Sequence, residues 1–246
     1  MADTSLIRDK MAGYRSFSRS DLRSTMQKCC YGASESATGN TIAKMLLAGD
    51  IVRIGRNKYR VSGPLKPYSF PHSHTAISVA EEIIAAHPHL DFRIFELIQL
   101  NEFVNHQIAT NILFVSVERG LEEDVFNTLW SRHKGSVLLK PSANELFRYM
   151  NEDMIVILKL PTESPKGISV FWDTRIEKML VDIAVDKLLT KVVYAGEYPT
   201  IYRDAFRKYA IDVNAMFRYA RRRGVFEKYR YFLVHEVGLE PEEFWI

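Results

Sequence analysis

An alternation of strand and helix patterns between residues 91 and 160 constrains the fold more than any other feature of the sequence. Four runs rich in β-branched and aromatic residues predict strands: DFRIFEL (91–97), NILFVSVER (111–119), SVLLKPS (136–142) and MIVILKL (154–160). Amphipathic segments between the later runs predict helices over 120–134 and 143–150. This order indicates the α/β (α+β) class, with a small central sheet and flanking helices.

Helical patterns lie on both sides of these runs. An amphipathic helix is expected over 75–87, and DTRIEKMLVDIAVDKLL predicts a helix over 173–189 that opens with an Asp-Thr cap. Three more helices are expected after it, with Asp212 as an N-cap and Gly224 as a break. Residues 75–246 are therefore expected to form one larger domain with a helical C-terminal tail.

The N-terminal part of the chain shows a different pattern, made of short helices. One helix is expected over 4–13 and a second after an N-cap at Ser18. A third is expected to begin at Ser34 or Ser36 and to stop at Gly49. Three short amphipathic helices are enough to enclose a small core of their own.

A basic hairpin follows these helices. Strands are expected over 51–54 and 59–61, and the turn Gly55-Arg56-Asn57-Lys58 supplies residues that tolerate the positive φ angles of a tight hairpin. Three helices followed by a hairpin with a cationic tip predict a winged helix-turn-helix over residues 1–62.

The segment GPLKPYSFPHSH, residues 63–74, is expected to be a linker. It contains three prolines, which interrupt regular structure. His72 and His74 alternate within it, but no Cys or acid lies beside them to complete a metal site. They are interpreted as linker histidines.

Charge divides the chain at the same place. Residues 1–66 carry twelve Lys or Arg against five Asp or Glu, about +7, whereas the remaining residues carry 21 against 25, about −4. A basic module in front of an acidic body favours an anionic partner for the front part.

The sequence also bears on location. No run approaches the roughly 18 apolar residues that a membrane helix needs, and MADTSLIRDKMAG lacks the apolar core of a signal peptide. The only cysteines are the adjacent Cys29 and Cys30, which favours reduced thiols. We expect a cytoplasmic protein with no membrane partner.

The front module is predicted to bind double-stranded DNA. In a winged helix the third helix enters the major groove and the hairpin meets the phosphates. Short polar side chains and cations suit these tasks. The candidate DNA-binding residues are Ser36, Thr38, Asn40, Thr41 and Lys44 on the helix and Arg53, Arg56, Lys58 and Arg60 on the hairpin. The alternative is a winged helix that makes only protein contacts.

A second basic patch is predicted in RYARRRGVFEKYRYF, residues 218–232, where cations and aromatic residues interleave. One interpretation is a further DNA or protein surface. The other is a pair of amphipathic helices with buried aromatic rings and solvated arginines. The residues of the patch are Arg218, Arg221, Arg222, Arg223, Lys228 and Arg230.

Motifs that would indicate an enzyme are absent from the sequence. It has no phosphate-binding loop, dinucleotide fingerprint, HExxH, CxxC or GxSxG. Asp91, Glu118 and Asp173 fall at predicted strand ends, as in metal-dependent nucleases, but Arg119 directly follows Glu118 where a gap before Lys is usual. We expect no catalysis, cofactor or metal. A nuclease-like enzyme targeted by the winged helix and a protein-interaction adaptor are the alternatives.

Two further carboxylates, Asp182 and Asp186, lie one turn apart on the helix predicted over 173–189. Such a pair can hold a cation. Capping, or pairing with Lys178 and Lys187, is the favoured interpretation.

Two segments resemble the AbiEi family of bacterial antitoxins and transcriptional regulators, which belong to type IV toxin–antitoxin systems. SESATGNTIAKMLLAGDIVRIGRNKYRV is similar to the recognition helix and wing of that family. DTRIEKMLVDIAVD is similar to a helix of its C-terminal domain, and the matching positions are Arg175, Glu177, Lys178, Leu180, Val181 and Asp182.

The resemblance implies a repressor that binds an operator upstream of its own operon. It also implies functional pairing with a nucleotidyltransferase-type toxin encoded next to it. In that family the C-terminal domain is needed for neutralisation, which does not require a stable complex with the toxin. Repressors commonly read paired half-sites, so the chain is expected to act as a monomer or a homodimer.

Overall fold

The computed structural model describes residues 4–14, 16–29, 34–47, 50–61, 67–168 and 170–239. Helices and strands both build the chain, which has the α+β class that the sequence predicts. None of the described helices is both long enough and apolar enough to span a bilayer.

Three helices and a hairpin form the front of the chain. The helices are α1 (Thr4–Met11), α2 (Arg19–Lys28) and α3 (Glu35–Leu47), and the strands are β1 (Ile51–Gly55) and β2 (Lys58–Val61). One face of each amphipathic helix must be shielded from water. These faces meet in a core made of Ile7, Met11, Phe17, Leu22, Met26, Ile42, Met45, Ile51 and Tyr59.

Serine side chains begin the second and third helices. Ser18 Oγ accepts the backbone N–H of Asp21, and the Asp21 carboxylate accepts the N–H of Ser18 at 2.8 Å, a bond that lowers the pKa of Asp21. Ser34 Oγ accepts the N–H of Ala37 at 3.1 Å, so the N-cap of α3 is Ser34 and not Ser36. The predicted stop at Gly49 lies outside the described residues.

The hairpin is antiparallel, with Ile51 opposite Val61. Asn57 in its turn has a φ of 57°, a conformation that Asn tolerates better than most residues, so the predicted tight turn is confirmed. The chain entering α2 joins the hairpin, because Phe17 and Tyr59 each donate a backbone N–H to the other's carbonyl oxygen at 2.8 Å.

The body is built on a four-stranded sheet. Its strands are β3 (Phe92–Glu96), β4 (Ile112–Val117), β5 (Val137–Leu139) and β6 (Met154–Lys159), in the spatial order β3-β4-β6-β5. β3 is antiparallel to β4, and β6 is parallel to both β4 and β5. The strand predicted over 136–142 ends early, at Leu139, because Lys140 takes a left-handed φ of 46°.

Helices cover both faces of this sheet. α4 (His74–Ala86) and α5 (Glu122–Trp130) pack on one face, and α6 (Ala143–Tyr149) and α7 (Ile176–Val185) pack on the other. The connection that leaves β4 therefore reaches one face, and the connection that leaves β6 reaches the opposite face. Burial on both sides explains why these strands are nearly continuous apolar runs.

The helix predicted over 173–189 is divided in the structure. α7 ends at Val185, and a short α8 (Leu189–Val192) follows. Asp186 has an extended backbone, and its carboxylate accepts the N–H groups of Leu188 and Leu189 at 3.0 and 3.3 Å. These side-chain hydrogen bonds take the place of the backbone hydrogen bonds of a continued helix. A short acidic side chain can therefore end one helix and start a new turn.

Three longer helices complete the described chain, α9 (Tyr198–Lys208), α10 (Val213–Arg222) and α11 (Phe226–His235). Asp212 caps α10 by accepting the N–H of Ala215 at 2.9 Å. Gly224 separates α10 from α11 with a φ of 69°. The predicted cap, break and helices are confirmed.

Part of the predicted linker is packed on the body. Tyr68 belongs to the core that α7, α9 and α10 share with the sheet. Ser73 is the N-cap of α4, accepting the N–H of Ala76 at 3.1 Å. Residues from Pro67 onwards therefore form contacts with the body, and the interpretation of residues 67–74 as linker is wrong.

His72 fixes this segment in place. Its Nδ1 lies 3.0 Å from Glu96 Oε1, and its Nε2 lies 3.2 Å from Asp173 Oδ1. The side chain is 8% exposed, and its ring is tilted by 52° against the ring of Trp172, with 4.6 Å between ring centroids. Burial alone would lower the pKa of His72, but the hydrogen bonds and charges of Asp173 and Glu96 outweigh it and raise the pKa to about 9. A buried imidazolium between two carboxylates is a structural contact that the sequence interpretation missed.

We expect the free energy of unfolding to fall as the pH rises from 6.5 to about 9. A histidine whose folded pKa is raised stabilises the fold fully below its unfolded pKa, and that contribution is lost as the pH passes its folded pKa. Urea unfolding of the wild type and His72→Gln across this window tests the expectation. The His72→Gln profile should lack this component, whereas the exposed-site control His89→Gln should keep it. Equal slopes in the wild type and His72→Gln would contradict the assignment.

Candidate nucleic-acid interface

A cleft of about 450 Å³ opens between α2, the start of α3 and the hairpin. Four arginines line it, Arg19 and Arg23 from α2 and Arg53 and Arg56 from the hairpin. Glu35 is the only acid among the described residues of its lining. Guanidinium groups match phosphate oxygens with paired donors, so the cleft has the charge and geometry to hold a phosphate backbone.

Arg19 and Asn57 hold one wall of the cleft together. The backbone N–H of Arg19 donates to Asn57 Oδ1 at 3.0 Å, which joins α2 to the hairpin turn. Arg19 Nη2 donates to the carbonyl oxygen of Glu35 at 2.8 Å, which joins α2 to α3. A Cβ at Gly39 would come within 3.0 Å of Arg19 Nη2, so glycine leaves room for the guanidinium beside α3.

The two arginines of α2 are absent from the sequence-based prediction, which gives the DNA contacts to α3 and the hairpin alone. Arg19 and Arg23 are four residues apart and therefore share one face of α2. That spacing was the available signal. It indicates a cationic helix face but not what the face is next to.

The exposed polar face of α3 is narrower than predicted. Ser36, Asn40 and Lys44 are exposed and follow one another at intervals of four residues, so they form a line along the helix. Asn and Lys side chains can donate hydrogen bonds to base edges and phosphates. These three of the predicted α3 contacts stand where a duplex could reach them.

Thr38 and Thr41 do not belong to this exposed line, although Thr38 lies in the lining of the cleft. Both side chains are buried, and their hydroxyls donate to the carbonyl oxygens of Ser34 at 3.0 Å and Ala37 at 2.9 Å. The expectation that they belong to the exposed face is wrong. Their positions fall on the same stripe as the core residue Met45, which turns them inward.

Two of the four predicted hairpin cations line the cleft, and the other two do not. Arg53 and Arg56 are exposed and line the cleft, and Arg53 Nε donates to the carbonyl oxygen of Gly55 at 3.2 Å. Lys58 and Arg60 lie on β2, are partly buried and are not in the cleft lining.

Most of the second basic patch is on the surface of α10 and α11. Arg218, Arg221, Arg222 and Lys228 are exposed. Arg221 lies over the ring of Phe226, 4.1 Å from its centroid. Arg222 approaches Glu163 at 3.2 Å, and Arg230 approaches Glu227 at 3.6 Å. Ion pairs of this kind at the surface contribute little to stability.

Arg223 does not belong to that surface. Its guanidinium bonds to Asp182 at 2.5 Å and to Asp186 at 3.2 Å, inside the contact between α7 and α10. Burial alone would lower the pKa of Arg223, but the two carboxylates outweigh it and raise the pKa. The prediction of Arg223 as a patch residue is wrong, because its charge is used within the body. Lys178 pairs with Asp182 at 2.5 Å, as predicted.

α10 lies against β1 of the hairpin. Exposed arginines of α10 are therefore on a helix that adjoins the wall carrying Arg53.

Two of the three carboxylates considered for a nuclease site, Asp91 and Asp173, have other partners. Asp91 accepts from Arg93 at 2.8 Å, and Asp173 is bonded to His72. Within the described ranges, no three His, Cys, Asp or Glu side chains are grouped as a metal site would require.

Comparison with known proteins gives one family match. A family model described as "Family of unknown function (DUF6577)" matches residues 38–237. No curated protein matches the chain. Among solved structures, the crystal structure of RV2827C protein from Mycobacterium tuberculosis is 12% identical, with the match covering 96% of this chain and 82% of that one at a TM-score of 0.23. A similarity that weak carries no argument about this chain.

We expect Asn57→Ala to destabilise the front module more than Asn57→Gly does. Both changes remove the bond from the Arg19 N–H, worth about 0.5–1.5 kcal/mol. Only alanine also pays for the left-handed φ of 57°, a further 1–2 kcal/mol or so. Thermal unfolding of both variants measures the difference. Equal destabilisation would show that the turn conformation does not constrain this position.

Proposed function

The chain belongs to the DUF6577 family, whose function is unknown, and we propose that this member binds double-stranded DNA and represses transcription of its own operon. The arginine-lined cleft between α2, α3 and the hairpin is the observation that carries the proposal. Cationic side chains from two elements converge there, beside the exposed line of Ser36, Asn40 and Lys44.

The two surfaces have separate tasks in this proposal. Arg19, Arg23, Arg53 and Arg56 contact phosphates and set the position of the duplex, which gives affinity without sequence preference. On the exposed line of α3, Ser36 and Asn40 contact base edges, and Lys44 contacts a phosphate. Asn40 is suited to adenine, because an amide can donate to N7 and accept from the amino group at the same time.

In the same proposal, the second basic patch extends the set of phosphates that the protein contacts. α10 adjoins β1, and Arg218 is exposed on it. A duplex that passes the hairpin would meet this helix next.

Toxin neutralisation is the second part of the proposed function. Its support is the resemblance of residues 34–61 and 173–186 to the AbiEi family, in which a regulator of this kind counteracts a nucleotidyltransferase-type toxin. A cytoplasmic location and action as a monomer or homodimer belong to the same proposal. The cleft and the α3 line support DNA binding alone.

Fluorescence anisotropy on labelled duplex from directly upstream of the gene tests the proposal. We expect tight binding to this duplex, weaker binding to a scrambled duplex, and a strong salt dependence. Lys44→Ala and Arg56→Ala should each weaken binding and flatten the slope of log affinity against log salt by roughly 0.9, because each removes one phosphate contact. Lys191→Ala, at an exposed site on α8, is the charge-matched control and should bind like the wild type.

Two outcomes would contradict the proposal. Equal binding to the upstream and scrambled duplexes would show that the protein does not recognise an operator sequence in the upstream duplex. No binding to either duplex would make the front module a protein-contact domain, and the adaptor interpretation would then replace the repressor.

Arg218→Ala tests the extended footprint in the same titration. We expect it to flatten the salt slope by roughly 0.9, as a variant of the cleft does. A wild-type slope for Arg218→Ala, together with a reduced slope for Arg56→Ala, would confine the footprint to the front module.

A further inference from the structure

A cavity of about 30 Å³ lies at the carboxyl ends of β4 and β6. The two strands are parallel neighbours, and the connections that leave them run to α5 and α7 on opposite faces of the sheet. Where connections diverge in this way, an open sheet leaves a crevice, and ligands of α/β proteins bind in such crevices.

Polar groups converge on the cavity from separate elements. Ser116 comes from the end of β4, and Thr174 and Lys178 come from the start of α7 and the residues before it. Lys159 lies at the end of β6, and Arg223 follows α10. The remaining wall is apolar and includes Phe95, Phe114, Met179 and Leu189.

Thr174 points to a ligand. Its side chain is 1% exposed, and its Oγ1 is buried with no hydrogen-bond partner among the described residues. A buried hydroxyl is normally satisfied in a folded protein. Ser116, 8% exposed, brings a second hydroxyl to the same cavity.

The charges around the cavity favour an acceptor with one negative charge. Asp182 is occupied by Lys178 at 2.5 Å, by Arg223 at 2.5 Å and by Tyr219 at 2.9 Å. Asp186 is occupied by Arg223 at 3.2 Å. These two carboxylates balance the two cations that bind them, and Lys159, which is exposed to solvent, adds one positive charge to the lining.

Donors therefore remain for a ligand. An ammonium has three N–H groups, so Lys178 keeps donors beyond the one used by Asp182. The hydroxyls of Thr174 and Ser116 can donate as well. A ligand for this cavity must present oxygen acceptors.

Size decides which oxygen group fits. About 10–15 Å³ is needed for one water molecule, so the cavity holds about two water-sized groups. The two oxygen atoms of a carboxylate match two water-sized groups and share one negative charge, whereas a phosphate is larger and carries more charge. We propose that the cavity binds the carboxylate group of a small organic acid, held by Thr174, Ser116 and Lys178. This proposal is independent of DNA binding.

Formate and acetate are the probes for this site. Thermal unfolding of the wild-type protein is followed at rising formate or acetate concentration, with chloride at the same ionic strength as reference. We expect the unfolding midpoint to rise with either carboxylate, because a ligand that binds only the folded state stabilises it. The apparent Kd should weaken at least tenfold in Thr174→Val and in Ser116→Ala.

Thr174→Val keeps the shape of the side chain and removes an unpaired hydroxyl, so the variant should fold as well as the wild type. Thr110→Val, at a half-buried threonine outside the cavity, is the matched control and should respond like the wild type. Line broadening of ¹³C-labelled acetate gives a second readout that does not depend on unfolding.

Three results would overturn the proposal. The first is no response of the wild type to formate or acetate, and the second is an equal response in Thr174→Val. The third is a response to phosphate or sulfate in place of the carboxylates, which would show a different ligand class.

Discussion

One buried carboxylate, Asp182, joins the helical layers of the body. It accepts from Lys178 on its own helix α7, and from Tyr219 and Arg223 at α10. A buried charge is tolerated only when several donors satisfy it, and removal of one partner from such a group costs about 3–5 kcal/mol. The position of α10 is set by this contact. Because α10 lies against β1, the same carboxylate contributes to where the body meets the hairpin.

Local patterns predict much of the fold and less of the site. β4 and the hairpin turn are identified correctly because β-branched runs and an Asn in a tight turn are determined by neighbours in sequence. Contacts between residues that are distant in sequence are not identified in this way. His72 bonds to Asp173, and Arg223 bonds to Asp182, and neither pair has a signature in composition or spacing. Both residues therefore appear in the sequence as ordinary linker and surface cations.

In the candidate interface, too, some positions are determined by neighbours in sequence and others only by the fold. Arg53 and Arg56 could be placed from the hairpin alone, because a turn exposes its tip. The inward direction of Thr38 and Thr41 could not be decided, since short polar residues on a helix are compatible with either face when their hydroxyls can bond to the preceding turn. The net charge of residues 1–66 indicates a basic surface, but only the packing of α2 against the hairpin turns it into a cleft.

The anchoring of the chain from Pro67 onwards limits how far the front module can lie from the body. Six peptide units separate Val61 from Pro67, and they can span roughly 20 Å at most. Even if the contact between α10 and β1 opened, the body of a molecule bound to a duplex would stay within that distance of the front module. One molecule would then shield a longer stretch of duplex than the base pairs it touches, which is a way to exclude a polymerase by bulk alone.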